Sequence, residues 1–244
     1  VAYDDSPAGG RRMVQINVDL AAGAIGAAEA RSADGAVAGV GDLRGLTSDS
    51  NGRFFSVNDR GATDELWISS NQLFRLSPAS GQAAAVSVLT EAGIGLTDSM
   101  IALAVQDDGV TVNGILREGG QDILVQFPVG SGNIIRLGVV QVDGADTQID
   151  AMDFDNAGRL LALDRSVDRV VRIELSDPTQ SEQWTAAGSV DSGLVGYGID
   201  RSNVAYSINQ TASPDELWST AGEGANFGIL DPDTGSFSGT GFVG

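Results

Sequence analysis

The sequence predicts an all-β chain assembled from repeated four-stranded units. Two observations carry this. "LTSDSNGRFFSVND" (46–59), "LAVQDDGVTVNG" (103–114), "MDFDNAGRLLALD" (152–164) and "YGIDRSNVAYSIN" (197–209) share one plan: a short apolar strand, an Asp where the turn begins, a Gly or Asn near its end, then a second strand closing on Asn, Asp or a neighbouring small residue. A second strand–turn–strand unit follows each of them: "LFRLSPASGQAAAVSV" from Leu73, "LVQFPVGSGNIIRLGVV" from Leu124, "VVRIELSDPTQSEQWTAAG" from Val170 and "FGILDPDTGSFSGTGFV" from Phe227. The repeat length is about fifty residues, and almost no run has helical spacing. Units of four strands, too small to bury a face alone, stack radially, so the expected architecture is a β-propeller of about five blades of four antiparallel strands.

The elements follow in order. "MVQINVDLAAGAIGAAEA" from Met13 reads as a further copy of the second unit, and Tyr3-Asp4 before it matches Leu163-Asp164. The chain therefore enters its first repeat at the second strand, and blade one (1–41) is incomplete as written. Blades two to five are expected at 42–97, 98–147, 148–192 and 193–244, together forming one propeller domain. The C-terminal "GSFSGTGFVG" completes a fourth strand and supplies no innermost strand for the first blade, so the sequence reads as a piece of a longer chain or as a ring completed by another chain segment. The Asp residues opening the first turn of each hairpin are Asp49, Asp107, Asp155 and Asp200; each can cap turn amides, while Gly52, Gly109, Gly158 or Asn203 takes positive φ. Asp153, Asp155 and Asn156 in "DFDNAGRLLALDR" have the look of a calcium loop. Position five of that loop would be Ala157 and position twelve Asp164 rather than Glu, so the turn reading is preferred.

The stretch "IDAMDFDNAGRLLALDRSVDRVVRIELSDPT" resembles the blade repeat of secreted bacterial propellers of the NHL, YVTN and gluconolactonase-like kind, and "LFRLSPASG" and "ILDPDTG" resemble their third-strand signature. The resemblance covers nearly the whole chain and implies fold far more than activity, because such blades serve enzymes, adhesins and scaffolds. In the gluconolactonase-like members it implies a central calcium held by Asp, Asn and Glu; that Glu finds no match here.

Composition narrows the chemistry. The formal charge is −19, with 33 acidic against 14 basic residues, and every basic residue is Arg. Such a field repels phosphate backbones and anionic membranes, so neither nucleic acid nor an anionic membrane is an expected partner. No apolar run reaches the length of a transmembrane helix. The chain begins at "VAYDD" without Met, which reads as a processed or partial chain, and the expected location is extracellular, cell-surface or periplasmic. Without Cys there are no disulfides, thiolate nucleophiles or Cys zinc sites, and without His there is no imidazole base or ligand. Carboxylate, hydroxyl, amide and Arg chemistry remain.

Two sets of candidate residues follow. Asp4, Asn58, Asn113, Asp164 and Asn209 align at the end of the second strand, where blade symmetry would gather their oxygens at one mouth of the channel. Oxygen donors suit Ca²⁺, whereas the structural alternative, Asn and Asp bonding to turn amides, needs no metal and is preferred. No cofactor is expected on that reading, with calcium as the alternative. The second set is a duplicated loop, "SVNDRGATDELW" (56–67) and "SINQTASPDELW" (207–218), in which Trp67, Trp218, Asp64 and Asp215 could anchor a protein or glycan ligand; the other reading wedges each Trp between blades. Trp184 is expected to pack between blades. The functional expectation is a non-enzymatic extracytoplasmic propeller serving as a binding or scaffold module, as part of a larger surface protein or assembly; the alternative is a calcium-dependent lactonase or esterase-like hydrolase with its metal on the Asn/Asp ring.

Overall fold

The computed structural model describes residues 2–4, 12–15, 18–19, 24–25, 29–30, 42–48, 54–59, 64–69, 84–96, 98–185, 193–199, 203–209, 216–220, 227–230 and 237–238. Near the N-terminus, β1 (Ala2–Asp4), β2 (Arg12–Gln15) and β5 (Glu29–Ala30) form a sheet in the order β1-β2-β5, and β3 (Val18–Asp19) pairs with β4 (Ala24–Ile25). The second blade is β6 (Asp42–Ser48), β7 (Phe54–Asp59), β8 (Asp64–Ser69) and β9 (Ala84–Val88). A hairpin of β10 (Thr90–Glu91) and β11 (Ile94–Gly95) leads to the third blade: β12 (Ser99–Val105), β13 (Thr111–Glu118), β14 (Gln121–Pro128) and β15 (Ile135–Val139). A second hairpin, β16 (Gln141–Val142) and β17 (Ala145–Asp146), leads to the fourth: β18 (Ile149–Phe154), β19 (Leu160–Asp164), β20 (Arg169–Ile173) and β21 (Glu182–Gln183), with a 3₁₀ turn at Pro178–Gln180. The fifth sheet holds five strands in sequence order: β22 (Leu194–Ile199), β23 (Ala205–Asn209), β24 (Glu216–Thr220), β25 (Phe227–Leu230) and β26 (Phe237–Ser238). All pairings within these sheets are antiparallel, and the inner strands β6, β12, β18 and β22 are successive neighbours. This is a β-propeller.

Strand periodicity explains how the blades stack. Along β19, Leu160 and Ala162 enter the layer shared with the third blade, and Leu161 and Leu163 enter the layer shared with the fifth. Along β12, Leu103 and Val105 face the second blade, and Ala102 and Ala104 the fourth. Successive side chains point to opposite faces, so a strand apolar at every position must be covered on both sides, which the stacking supplies. The three layers are thus the core. Phe127, Leu89, Met100 and Leu116 are fully buried in the one between blades two and three.

Gly114 sits inside β13, where glycine is otherwise costly. A Cβ there would lie 2.4 Å from Met100 Sδ and 3.3 Å from a Val125 methyl. The glycine therefore lets Met100 cross the sheet face. Gly114→Ala is expected to destabilise the chain by about 1–3 kcal/mol, read as a lower urea midpoint at unchanged slope, with part of the loss recovered by a shorter residue at Met100.

The first turns of the hairpins follow the sequence frame with one substitution of parts. Asp155 Oδ1 accepts from Ala157 N at 2.9 Å and Arg159 N at 2.8 Å. In the third blade the cap is Asp108, not Asp107: its Oδ1 accepts from Val110 N and Thr111 N, each at 2.8 Å. Gly109, Gly158 and Asn203 all have positive φ, and Asn203 Oδ1 also accepts from Asn156 N at 2.9 Å, clasping the turns of neighbouring blades. Asp49, Asp200 and Gly52 lie outside the described residues.

The duplicated "ELW" segments, 65–67 and 216–218, are strands rather than loops. Both form the third strand of their sheets, with Trp67 opposite Ser56 and Trp218 opposite Ser207. In the second blade "LFRL" at 73–76 lies outside the described residues, and in the fifth "FGIL" is the fourth strand, so the third-strand signature belongs to these places only in blades three and four.

Candidate functional site

Counted along the second strand of each hairpin, Asn58, Asp164 and Asn209 each stand at the fifth residue, opposite Leu43, Ile149 and Leu194. Across the second turn they face Glu65, Arg169 and Glu216, and Asp4 faces Arg12. Asn113 does not join them. It stands opposite Ala104, one rung past Val112 and three rungs nearer the first turn, and the third-blade residue on the ring's rung is Leu116. Asn113 is fully buried; its Oδ1 accepts from Gln106 Nε2 at 3.0 Å.

Asp164 is also fully buried, and its carboxylate is engaged on every side. Oδ1 accepts from Gln148 N at 3.0 Å, Ser166 N at 3.0 Å and Ser166 Oγ at 2.7 Å; Oδ2 accepts from Arg169 Nε at 3.0 Å. These four donors fix the second turn and the approach to β18. A calcium ion needs six to eight oxygens with free lone pairs, so Asp164 does not fit a metal without breaking its own turn. Among the described residues no group of three or more carboxylates is placed to hold a metal.

A second network stands beside it. Asp122, fully buried on β14, accepts from Arg117 Nε at 2.9 Å, from Thr147 Oγ1 at 3.4 Å and from Ile149 N. It thereby ties the third blade to the first residue of the fourth blade's inner strand. Burial pushes its carboxyl up, against the lowering effect of Arg117 and the Ile149 amide. Arg117 also donates to Ile149 O at 3.0 Å, and Asp150 lies 3.8 Å from Arg117 and 3.1 Å from Arg165. Asp150 sits in the bulge between Ile149 and Ala151, and Arg44 immediately before the corresponding bulge of the second blade, so the two do not share a rung.

The axis itself carries a group of another kind. Thr47, Ala104, Asp153 and Gly198 occupy the second rung from the first turn in four successive blades. Asp153 Oδ2 accepts from Ile199 N at 2.9 Å, and Oδ1 accepts from Phe154 N at 2.9 Å and Thr47 Oγ1 at 3.5 Å. Burial raises its carboxyl to about 6, partly offset by these donors. Beside it Tyr197 is buried, and burial together with Asp153 and Asp155 pushes its hydroxyl far up, keeping it neutral. In sequence Asp153 stood out only as the first residue of an apparent calcium loop; Asp122 gave no signal beyond following the "GGQ" turn.

The aromatic candidates separate. Trp218 is only 4% exposed and packs with Leu161, Leu163, Val170 and Tyr197 between blades four and five, so it wedges blades and offers no face to a ligand. Trp184 packs at the edge of the same layer, with the Arg159 guanidinium 4.7 Å from its ring centre. Trp67 stands on β8 at the corresponding rung. Asp64 lies directly opposite Asp59 at the end of that strand. Asp215 lies outside the described residues.

Architecture and site together define a propeller whose described site carboxylates bond to its own turns, as Asp155 and Asp164 do, or between its blades, as Asp122 and Asp153 do. TolB from Acinetobacter baumannii has a similar structure: TM-score 0.55 at 9% identity, covering 93% of this chain and 50% of that one. A putative TolB from Agrobacterium tumefaciens matches at TM-score 0.49 and 10% identity, covering 84% and 65%, and a gluconolactonase from Xanthomonas campestris at 0.45 and 16%, covering 75% and 58%. The chain thus spans about half the length of the first of these structures and under two thirds of the others. No protein-family model matches the chain, and no curated protein sequence does.

Proposed function

We propose that the chain is a single propeller domain, with blades at 1–41, 42–97, 98–147, 148–192 and 193–244, acting as a non-enzymatic extracytoplasmic binding or scaffold module within a larger protein or assembly. The observation that carries this reading is the state of Asp164: the one ring carboxylate whose side chain is described is engaged by four internal donors, Arg169 among them. A catalytic or metal-holding carboxylate needs lone pairs directed at its substrate or ion. The sequence has no His to serve as the imidazole base of a Ser nucleophile.

Ligand contact belongs on this reading to the ends of the third strands, where Asp64 faces Asp59 and Asp215 precedes β24. Like charges directly opposite on paired strands cost roughly 0.2–1 kcal/mol, and a protein that retains such a pair has a use for its charge. The ligand is a protein or glycan presenting cationic or hydrogen-bond-donating groups. Asp64→Asn is accordingly expected to raise stability by a few tenths of a kcal/mol, more at low salt, seen as a small upward shift of the urea midpoint; a loss of stability would count against repulsion between the two positions.

The reading is tested by isothermal titration with calcium together with a panel of lactone and ester substrates. The proposal expects no calcium-dependent turnover. Hydrolysis that appears with calcium and disappears with chelator would replace it by the calcium-dependent hydrolase.

A further inference from the structure

We propose that Asp153 is a proton-operated latch on the propeller axis, tying the inner strand of the fourth blade to those of the second and fifth, with its proton exchanged across the axis at Thr47. The observations are geometric. Thr47 is 106 residues from Asp153 in the chain, and β12 stands between their strands in the order of blades, yet the hydroxyl and carboxylate meet. Two positions on the same rung are Ala104 and Gly198, small enough to leave the carboxylate room; a Cβ at Gly198 would come within 3.9 Å of Oδ2.

The three hydrogen bonds differ in what a proton does to them. Ile199 N–H and Phe154 N–H can only donate, so their acceptor lone pairs on Asp153 must persist in either protonation state. Thr47 Oγ1 can donate or accept, and its present contact, at 3.5 Å, is the longest of the three. A proton arriving from solvent binds Oδ1, and the new carboxyl O–H donates to Thr47 Oγ1, whose own hydrogen turns to another acceptor. The contact changes direction, shortens, and no longer holds an uncompensated charge.

Among the described residues no cation lies beside this carboxylate. Tyr197 on β22 and Asp155 after β18 are the titratable groups facing the site from those elements; the first stays neutral and the second pairs with Arg159. From β12 there is no titratable residue. On β6, Asp42 and Arg44 stand five and three positions from Thr47. Asp164 on β19 is three rungs away and paired with Arg169.

The sign follows from the raised carboxyl. In the unfolded chain an Asp titrates near 3.9, and in the fold Asp153 titrates near 6. Its contribution to stability is fully present below about pH 4 and is lost as pH rises through 6. The axis is therefore held more tightly in mild acid than at neutral pH.

The test compares the native chain with Asp153→Asn by urea unfolding from pH 4 to 7.5. Over that range the unfolding equilibrium constant of the native chain is expected to rise about fiftyfold relative to the variant, most of the effect of a shift of about two pH units. Parallel profiles would overturn the proposal. Because the variant could fail to fold, a carboxyl-carbon NMR titration of the native chain gives an independent reading: an Asp153 midpoint near 6 supports the latch, and one near 4 overturns it. Thr47→Val should displace that midpoint, and a midpoint it leaves unmoved would overturn the exchange across the axis.

Discussion

Asp122→Ala is expected to destabilise the protein by about 2–4 kcal/mol, the cost of leaving a buried backbone N–H unsatisfied and a half-buried guanidinium without its nearest counterion. The carboxylate is fully buried and accepts from Arg117 Nε, Thr147 Oγ1 and Ile149 N. Truncating it leaves a guanidinium without its nearest counterion and a backbone N–H at the head of β18 without an acceptor, deep in the seam between blades three and four. For a chain of this size that corresponds to a fall in melting temperature of roughly 10 °C. Asp122→Asn should lose less, because the amide oxygen can still accept from Ile149 N. A melting temperature within a degree of the native one would show that the network is ornamental.

Trp218→Ala should be comparably severe, about 3–5 kcal/mol for a large aromatic removed from a packed layer. Its ring is 4% exposed among Leu161, Leu163, Val170 and Tyr197. Trp218→Phe keeps most of the volume and should cost far less. An exposed ligand-anchoring Trp would give the reverse pattern: truncation within about 0.5 kcal/mol in stability and a large loss in ligand binding. Urea unfolding of the two variants separates these cases without knowledge of the ligand.

The hairpin frame was legible because its causes are local. An Asp able to cap amides two to four residues ahead, followed by a residue tolerating positive φ, gives the same turn wherever it recurs, and Asp155, Gly158, Gly109 and Asn203 behave accordingly. The slips come from one-residue differences that a repeat pattern hides. The turn of the third blade closes between Gln106 N and Thr111 O, that of the fourth between Asp155 N and Arg159 O, one residue fewer. Capping accordingly passes from Asp107 to Asp108. Asn113 matches the other ring candidates in residue type alone: as far past its turn Asp as Asn58, Asp164 and Asn209 are past theirs, the third blade carries Leu116. Asp64 and Trp67 were misplaced into a loop because the following "LFRL" looked like the third strand.

The axial group was not legible at all. Nothing local distinguishes Thr47, Ala104 or Gly198, and their relation to Asp153 exists only once four inner strands stand side by side. The same holds for Asp122, whose partners Arg117 and Ile149 come from two different blades. Burial gives these carboxylates their properties, and burial is a property of the stacked sheets.

The measurement that tests the central claim most directly is the effect of calcium on the melting temperature of the native chain and of Asp164→Ala. The account predicts that the native melt is unchanged by calcium, because the four donors around Asp164 leave it no role as a ligand, and that Asp164→Ala melts lower by the same amount with or without the ion. Binding at 100 times its dissociation constant would instead add about 2.7 kcal/mol, or several degrees. A shift of that size in the native chain, abolished in Asp164→Ala, would contradict the account.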